Sequence, residues 1–365
     1  MKLYFIAGED SGDLHTKNLI KALKHEMPSL QTRGVGGELM RSVGTELVAH
    51  IEDINFMGFW EVITNLKTIR QLFRTVKEDI EQWQPDAVVL IDYPGFNLRM
   101  AKYLKEKGFQ VIYYISPQVW AWKKGRVKTI RQYVDQMLVI LPFEKDFYKK
   151  EGVDVDFVGH PLLDEIECYT DTGKKAPIVA LLPGSRQQEI KRMLPVMLKM
   201  IPQFPDYEFV IAGAPSQKPA FYETMIGNVP VKLIMNQTYE VLSKAQYALV
   251  TSGTATLETA LFDVPQVVCY KGSPISYHIG KYLVQVRFIS LVNLILNQPL
   301  VKELIQAEFN TEKLRHALKN IMDPVEEANI KNGYVLLRHQ LGDKGASTKA
   351  AQLIISKLGE STLSK

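Results

Sequence analysis

The chain has 365 residues, 46% of them hydrophobic, and a formal net charge of +4 at pH 7 from 44 basic and 40 acidic side chains. That length predicts about two domains, each with its own buried core, and so mild a charge does not favour nucleic acid as the partner. The isolated cysteines, Cys168 and Cys269, indicate neither a disulfide framework nor a cysteine zinc site and fit a reducing compartment, while no apolar run approaches the ~18 residues of a membrane-spanning helix.

The first half of the chain alternates short apolar strands with segments of helical periodicity. Strands are predicted at residues 3–7, 87–91, 111–115 and 137–141. Helices are predicted at residues 14–25, 98–107 and 126–133. This alternation predicts a parallel sheet that is covered by helices on both faces.

The same rhythm restarts after a polar linker at residues 168–176. Strands are predicted at residues 178–182, 208–212, 231–234, 247–250 and 266–270, and helices at residues 314–322, 326–341 and 347–358. We therefore predict an α/β fold with two doubly wound, Rossmann-like domains that face each other across a cleft. The predicted domains are residues 1–170 and 175–345, and the helix within residues 346–365 crosses back to the first domain or to a partner subunit.

Two strand-to-helix turns in the second half have the composition of phosphate-binding turns. The first turn contains Gly184, Ser185 and Arg186, and the second contains Ser252, Gly253 and Thr254. Free backbone N–H groups at a helix start, nearby hydroxyls and an arginine together suit a diphosphate. The alternative is that small residues only allow a strand and a helix to pack closely.

Loops at the predicted carboxyl ends of the first-half strands carry carboxylates, hydroxyls, a histidine and aromatic rings. They comprise residues 8–13, 92–97, 116–122 and 159–161. Because ligands of open α/β sheets bind at this edge, the composition predicts a site for a polyhydroxy substrate.

Ten short motifs occur in order between residues 7 and 293, and the match that they define continues to about residue 304. They are AGEDSGD at 7–13, GVGG at 34–37, MGFWEV at 57–62, IDYPGFN at 91–97, ISPQVWAW at 115–122, LPFE at 141–144, VGHP at 158–161, LPGSR at 182–186, SGTATLE at 252–258 and SLVN at 290–293. Together they resemble the lipid-A-disaccharide synthases. The resemblance implies a GT-B glycosyltransferase that joins UDP-2,3-diacylglucosamine to 2,3-diacylglucosamine 1-phosphate, with inversion to a β-1,6 linkage and release of UDP.

The expected catalytic residues are Asp92 and Glu9. A sugar hydroxyl needs a base that takes its proton, and Asp92 follows an apolar strand directly before a turn at Pro94 and Gly95. The resemblance assigns the base to this position, although the family often has a second carboxylate where this chain has Gly95. The alternative for Asp92 is a helix cap, whereas no cap explains Glu9 ahead of its glycine turn.

The remaining candidates fall into two groups. For the acceptor sugar we select polar or turn residues of the first half: Ser11, Gly12, Asp13, Asn97 and His160. Asp13 has an alternative as a first-turn helix carboxylate, and His160 as a structural histidine. For the UDP-sugar, the candidates are the residues of the two turns together with Thr256, Glu258 and Asn293. Glu258 is placed to accept the ribose hydroxyls. Its alternative is a solvated helix residue or a capping partner.

No metal and no cofactor are expected. Asp154 and Asp156 have the Asp-x-Asp spacing of metal-dependent glycosyltransferases, but they alternate with valines as the outer face of an edge strand does. Helix starts and Arg186 are available for the diphosphate without a cation.

A basic stripe and an apolar stripe adjoin within residues 56–77. The basic stripe is Lys67, Arg70, Arg74 and Lys77, and Phe59 and Trp60 lie at one end. Ordinary core packing explains such a helix, but so does binding at an anionic membrane surface. Since the implied substrates are acylated, we predict peripheral association with the cytoplasmic face of the inner membrane of a Gram-negative-type bacterium. The other expected partners are the two lipid substrates, and a homodimer is left open.

Two alternatives to this function remain at the level of sequence. The first is a UDP-sugar epimerase or another UDP-sugar transferase on the same scaffold, because this fold carries several reactions. The second is a nucleotide-sugar-binding membrane adaptor without turnover, which would have no use for a base at Asp92.

Overall fold

A computed structural model describes residues 1–51, 66–121, 125–166, 169, 175–272 and 287–363. The chain divides into two compact units. The first unit comprises Met1–Pro161 and Gly342–Lys365, and the second comprises Leu162–Leu341. Most of the linker predicted at residues 168–176 lies outside the described residues.

Within the described residues, the first unit has a seven-stranded parallel sheet of order β3-β2-β1-β4-β5-β6-β7. The strands are β1 (Lys2–Ala7), β2 (Gln31–Gly36), β3 (Glu46–His50), β4 (Ala87–Ile91), β5 (Val111–Tyr114), β6 (Gln136–Val139) and β7 (Asp156–Phe157). All five residues of β4 are buried, as expected for a central parallel strand with helices on both faces.

Helices cover the first sheet. They are α1 (Asp10–Glu26), α2 (Glu38–Ser42), α3 (Leu66–Trp83), α4 (Pro94–Glu106), α5 (Arg126–Tyr133) and α6 (Pro142–Lys150). The last helix of the chain is also part of this unit. Its residues Ala350, Ala351, Ile354 and Leu358 are buried in the same hydrophobic cluster as Leu19 and Leu23 of α1.

Within the described residues, the second unit has a six-stranded parallel sheet of order β10-β9-β8-β11-β12-β13. The strands are β8 (Ile178–Leu182), β9 (Glu208–Gly213), β10 (Lys232–Met235), β11 (Tyr247–Thr251), β12 (Gln266–Tyr270) and β13 (Lys302–Ile305). The helices are α7 (Leu162–Ile166), α8 (Gln187–Leu198), α9 (Pro219–Ile226), α10 (Thr238–Lys244), α11 (Ala255–Leu261), α12 (Leu291–Leu296), α13 (Thr311–Ile321) and α14 (Pro324–Leu341), and the helix that returns to the first unit is α15 (Ala346–Leu363).

The predicted α/β class with two doubly wound parallel sheets is confirmed. Strands β2, β3 and β13 were missed, because none of their sequences QTRGVG, ELVAH and KELI contains more than three consecutive apolar residues. They lie at or next to sheet edges, where the packing of neighbouring strands and helices outweighs weak local propensity. Helix α4 begins at Pro94, four residues before the predicted start at 98.

Candidate active site

Each sheet has a topological switch point, and the predicted catalytic and phosphate-binding loops lie there. In the first sheet β1 and β4 are neighbours, with Ala7 in register with Ile91, so that the loops beginning at Gly8 and Asp92 leave the sheet side by side. In the second sheet the corresponding neighbours are β8 and β11, with Leu182 in register with Val250. Ligands of open α/β sheets bind in the crevice outside such a pair of strand ends.

Asp92 has an uncommon backbone conformation that neighbouring side chains hold in place. Asp92 and Tyr93 both have positive φ values, 41° and 46°, in the left-handed region that non-glycine residues seldom adopt. The Asp92 N–H donates to the Tyr114 carbonyl at 3.2 Å, and the Asp92 carbonyl accepts from Asn97 Nδ2 at 2.9 Å and from the Tyr113 hydroxyl. Strain that is held by several bonds is a mark of functional sites.

The Asp92 carboxyl titrates near neutral pH. Its pKa is raised from 3.8 to about 7. Burial is the largest cause, the negative charge of Glu9 acts in the same direction, and a hydrogen bond from the Tyr93 N–H opposes the shift. A carboxyl with this pKa is a far better proton acceptor than an exposed aspartate. The capping alternative is not favoured, because the N-cap of α4 is Tyr93.

Glu9 is the N-cap residue of α1 by position, but its side chain makes no capping hydrogen bond. Its charge acts on both Asp92 and Tyr93. The two loops approach closely because Gly8 lacks a side chain: a Cβ there would lie 2.3 Å from the Tyr93 ring. In the first turn of α1, Ser11 is exposed and Gly12 is buried.

Three of the five acceptor candidates have their polar groups turned into the protein. The Asp13 carboxylate accepts the N–H groups of Gly37, Leu39 and Met40 at 2.7, 3.0 and 3.1 Å and so holds the start of α2. Asn97 is fully buried and donates to the carbonyls of Ile6, Ile91 and Asp92. These contacts give both residues structural roles in place of the sugar contact that was predicted.

His160 is the third of these buried candidates, with 3% of its surface exposed. Burial, with the nearby His15 as a smaller cause, lowers the pKa of His160 to about 3, and burial alone lowers the pKa of His15 to about 4. Both rings are therefore neutral at physiological pH, and the structural alternative for His160 is favoured.

The first predicted phosphate turn follows β8. Gly184 has a φ of 106°, and a Cβ there would lie 2.7 Å from Glu189 Oε2. Arg186, whose side chain is 60% exposed, forms an ion pair with Glu189 at 3.0 Å. The Ser185 carbonyl accepts from Ser216 and Gln217, at 3.1 and 2.9 Å. Arg186 therefore has a partner from its own helix, which an incoming diphosphate would have to replace.

The second predicted phosphate turn follows β11, and its hydroxyls shape the turn itself. Ser252 Oγ donates to the Ile289 carbonyl at 2.8 Å, and Thr256 Oγ1 donates to the Gly253 carbonyl at 2.8 Å. Thr256 is fully buried, whereas Gly253 and Thr254 are exposed. The exposed part of the turn is therefore formed by Gly253 and Thr254.

Glu258 lies in α11, where it is mostly buried and accepts a hydrogen bond from the Tyr239 hydroxyl at 3.0 Å. Burial raises its pKa, and the Tyr239 bond opposes that shift. This side chain is neither solvated nor a capping partner, so both alternatives considered from the sequence are disfavoured. Tyr239 lies in none of the ten motifs, and its contact with Glu258 was not predicted.

Asn293 is a correction to the sequence prediction, because its amide is used entirely inside the second unit. Nδ2 donates to the Val301 carbonyl and to Glu303, both at 2.9 Å, and Oδ1 accepts the Val301 N–H at 2.9 Å. The side chain is 1% exposed. The SLVN motif therefore serves to connect α12 to β13.

A buried acid that sequence reasoning did not single out is Glu144. It accepts from the Leu141 N–H at 3.0 Å and from Trp120 Nε1 at 3.2 Å, and burial raises its pKa to about 7. Nearby, the hydroxyls of Ser116 and Tyr148 share a hydrogen bond of 2.8 Å. These contacts connect the loop after β5 to the start of α6. In the sequence, the LPFE motif was the feature that could have drawn attention to Glu144.

The basic helix packs as an ordinary amphipathic helix on one side. Leu72, Val76 and Ile80 of α3 are buried in the core of the first unit. Lys67, Arg70 and Arg74 are exposed, and Lys77 Nζ lies 3.9 Å from the centre of the Tyr103 ring. Phe59 and Trp60 lie outside the described residues. Among the described helices, none combines the length and the apolar character needed to span a bilayer.

Of the Asp-x-Asp pair, Asp156 lies in an edge strand as predicted, whereas Asp154 precedes that strand. Asp156 belongs to β7, the outermost strand of its sheet, and its Oδ2 accepts from Gln136 Nε2 at 3.1 Å. In the part of the chain that the structure describes, no three His, Cys, Asp or Glu side chains are grouped for a metal ion.

The family model and the sequence relatives agree with one another, and a solved structure shows a similar fold. A family model described as lipid-A-disaccharide synthetase matches residues 3–356. The chain is 39% identical to a lipid-A-disaccharide synthase of Syntrophus aciditrophicus, covering 98% of this chain and 97% of the relative. It is 37% identical to lipid-A-disaccharide synthase 1 of Legionella pneumophila, covering 98% of each. A UDP-GlcNAc 2-epimerase from Neisseria meningitidis bound to UDP-GlcNAc has a similar fold, with a TM-score of 0.66, 13% identity and coverage of 99% and 100%.

Proposed function

The chain belongs to the lipid-A-disaccharide synthase family, and from that membership we propose how its own residues carry out the family's reaction. It is a glycosyltransferase of lipid A biosynthesis that joins UDP-2,3-diacylglucosamine to 2,3-diacylglucosamine 1-phosphate. The match over residues 3–356, together with identities of 37–39% over nearly the whole chain, carries this conclusion. The likeness to an epimerase is one of fold alone and does not favour epimerisation.

Asp92 is the base of the proposed mechanism. The 6-hydroxyl of the acceptor attacks the anomeric carbon of the UDP-sugar, the bond from that carbon to the diphosphate breaks, and the hydroxyl proton passes to the Asp92 carboxylate. Attack from the face opposite UDP inverts the configuration. The proposal is supported by the switch-point position of Asp92, its held backbone and its pKa of about 7. Glu9 is proposed to tune that pKa.

The second unit is proposed to hold the UDP group. Arg186 and the exposed turn at Gly253 and Thr254 would meet the diphosphate, and Glu258 the ribose. Positive charge and N–H groups in these turns stabilise the negative charge that develops on the leaving UDP. In this scheme Arg186 releases Glu189 and binds the phosphate oxygens instead. Because these groups can supply the neutralisation, we propose that no metal is needed, and EDTA is expected to leave the rate unchanged.

The test is incubation of the protein with each lipid substrate alone and with both together. Release of UDP only when both are present, with formation of the disaccharide, is expected. A rearranged UDP-sugar without acceptor would support the epimerase, and binding without any product would support the adaptor. Either of those outcomes would contradict the proposed reaction.

Peripheral binding to the cytoplasmic face of the inner membrane is proposed for the surface beside α3. A groove of about 660 Å³ lies between α3 and α4. Its charged lining has a basic excess, with five basic side chains (Arg70, Arg74, Lys77, Arg99 and Lys102) and three acidic ones (Glu78, Glu81 and Glu106). Since the apolar face of α3 packs into the core, attraction of anionic headgroups to this basic surface is the main contribution that we propose.

Replacement of Lys67, Arg70, Arg74 and Lys77 by Gln is expected to weaken binding to anionic liposomes at low salt. The matched control is Gln at four exposed basic residues of the second unit: Lys302, Lys313, Arg315 and Lys319. Both variants lose the same charge. Equal binding by the two variants would contradict a specific role of the α3 surface.

A further inference from the structure

Glu303 of β13 is linked to the turn at Ser252, although the two lie on different strands. In the second sheet β12 separates β11 from β13, and Glu303 is in register with Val268 of β12. A chain of hydrogen bonds through the segment at residues 289–293 spans this distance.

The Glu303 carboxylate gathers the hydrogen-bond donors of that segment. Oε1 accepts the Ser290 N–H at 2.9 Å, the Ser290 hydroxyl at 2.8 Å and Asn293 Nδ2 at 2.9 Å. The Ile289 N–H donates to both oxygens, at 3.2 and 3.0 Å. Ser290 is fully buried and Asn293 is 1% exposed, so these donors depend on the carboxylate in place of water.

The same segment fixes the turn at Ser252. The Ile289 carbonyl accepts the Ser252 hydroxyl at 2.8 Å, and the Ser252 N–H donates to the Cys269 carbonyl at 3.0 Å. Glu303 thus accepts the N–H of Ile289, and the carbonyl of Ile289 accepts the hydroxyl of Ser252. If the Ile289 N–H lost its acceptor, the Ser252 hydroxyl would lose a fixed partner.

A carboxylate is an electrostatically costly choice in this unit. A negative charge in a partly buried position near an anion site opposes the binding of the anion. It also offers acceptors only, and four donor groups converge here. The benefit that offsets the repulsion is therefore geometric.

We propose that Glu303 is a positioning residue for the UDP-sugar: it holds the segment at residues 289–293, which in turn holds the Ser252 turn in the shape that accepts the diphosphate. This inference rests on the proposed function of that turn. Glu303 itself contacts neither sugar nor phosphate in this scheme, and Asn293 acts through Glu303.

The test compares Glu303→Asp, Glu303→Gln and Glu303→Ala with the wild type and with Glu312→Ala, an exposed acidic residue of α13. Asp retains the charge but is one methylene shorter and does not reach all three residues. Gln loses the charge, yet its oxygen at the Oε1 position keeps four of the five contacts. The measurements are the Kd for UDP, the KM for each lipid substrate and amide hydrogen exchange of residues 250–256.

For Asp and Ala we expect the UDP Kd and the KM for the UDP-sugar to rise about tenfold, with the acceptor KM unchanged and faster exchange in residues 250–256. Gln is expected to remain within about threefold of the wild type, since most contacts are kept. Glu312→Ala should match the wild type.

Unchanged UDP affinity and unchanged exchange in the Asp variant would overturn the proposal, as would a loss that affects both substrates equally. If Ala does not fold, the comparison of Asp with Gln still decides. If the wild type itself bound no UDP, the proposed function would fail, whereas the exchange comparison would still test whether Glu303 holds the turn.

Discussion

At the residue scale, Asp92 and Glu9 form an electrostatic pair in which one carboxylate tunes the other. The Glu9 charge contributes to the raised pKa of Asp92, after burial. A base works only when it is deprotonated, so the rate should rise with pH and level off above a midpoint near 7.

Glu9→Gln removes a negative charge and should therefore lower the pKa of Asp92. The acid limb of kcat/KM is expected to shift to lower pH. The shift should be smaller than the whole elevation of the Asp92 pKa, because burial still raises that pKa in the variant. The measurement is kcat/KM from about pH 5 to about pH 9, a range that covers the limb. Glu26→Gln, on the exposed end of α1, is the control and should leave the midpoint unchanged. An unshifted limb in the Glu9 variant would show that Glu9 does not act on the base.

Residue roles were only partly predictable from the sequence. Asp92 could be selected as the candidate base because a carboxylate after an apolar strand is recognisable in one dimension, and its role stays a prediction. Asp13, Asn97 and Asn293 occur in equally distinctive motifs, yet their side chains bind backbone groups. Whether a polar side chain faces a ligand or the protein depends on loops that are distant in sequence, and the motif does not contain that information.

At the element scale, the turn between β8 and α8 depends on one glycine. Gly184→Ala would place a Cβ 2.7 Å from Glu189 Oε2 at a φ of 106°. We expect a loss of about 1–3 kcal/mol in stability and a weaker Arg186–Glu189 pair. The control is Gly108→Ala, where φ is 84° but no atom lies within 4 Å.

Urea unfolding and UDP binding measure the two effects of Gly184→Ala. A variant as stable as Gly108→Ala, with wild-type UDP affinity, would show that the close approach to Glu189 can be relieved without cost. The same turn illustrates what the sequence predicts well: strand, turn and helix were all recognisable locally, whereas the ion pair of Arg186 within its own helix was not anticipated.

The elements that the sequence missed share a physical cause. β2, β3 and β13 contain too few consecutive apolar residues for their periodicity to show, and they form because a neighbouring strand offers unpaired backbone groups. The buried strands β1, β4, β8 and β11, in contrast, carry their own signal. These four strands also frame the switch points, which is why the candidate loops there could be placed better than the sheet edges.

At the scale of the whole molecule, the first unit is built from both ends of the chain. Ile354 of α15 is fully buried in the cluster shared with α1. Ile354→Ala should reduce stability by about 2–5 kcal/mol through lost burial and a cavity. Gln352→Ala, on the exposed side of the same helix, is the control and should be near neutral.

Hydrogen exchange locates the effect of Ile354→Ala. Faster exchange is expected in α1 and the first sheet, with the second unit protected as in the wild type. Equal loosening of both units, or none, would contradict the assignment of α15 to the core of the first unit. A helix that follows the second unit in sequence gives no local signal of where it packs.

The central claim is that Asp92 takes the proton of the acceptor hydroxyl, and the most direct measurement is the turnover of Asp92→Asn with both lipid substrates, alongside its UDP affinity. Asn keeps the size of the side chain but is not a base, so kcat should fall by about 10²–10⁴-fold while the Kd for UDP stays within about twofold of the wild type. A kcat near that of the wild type, in a folded variant with normal UDP binding, would contradict the account.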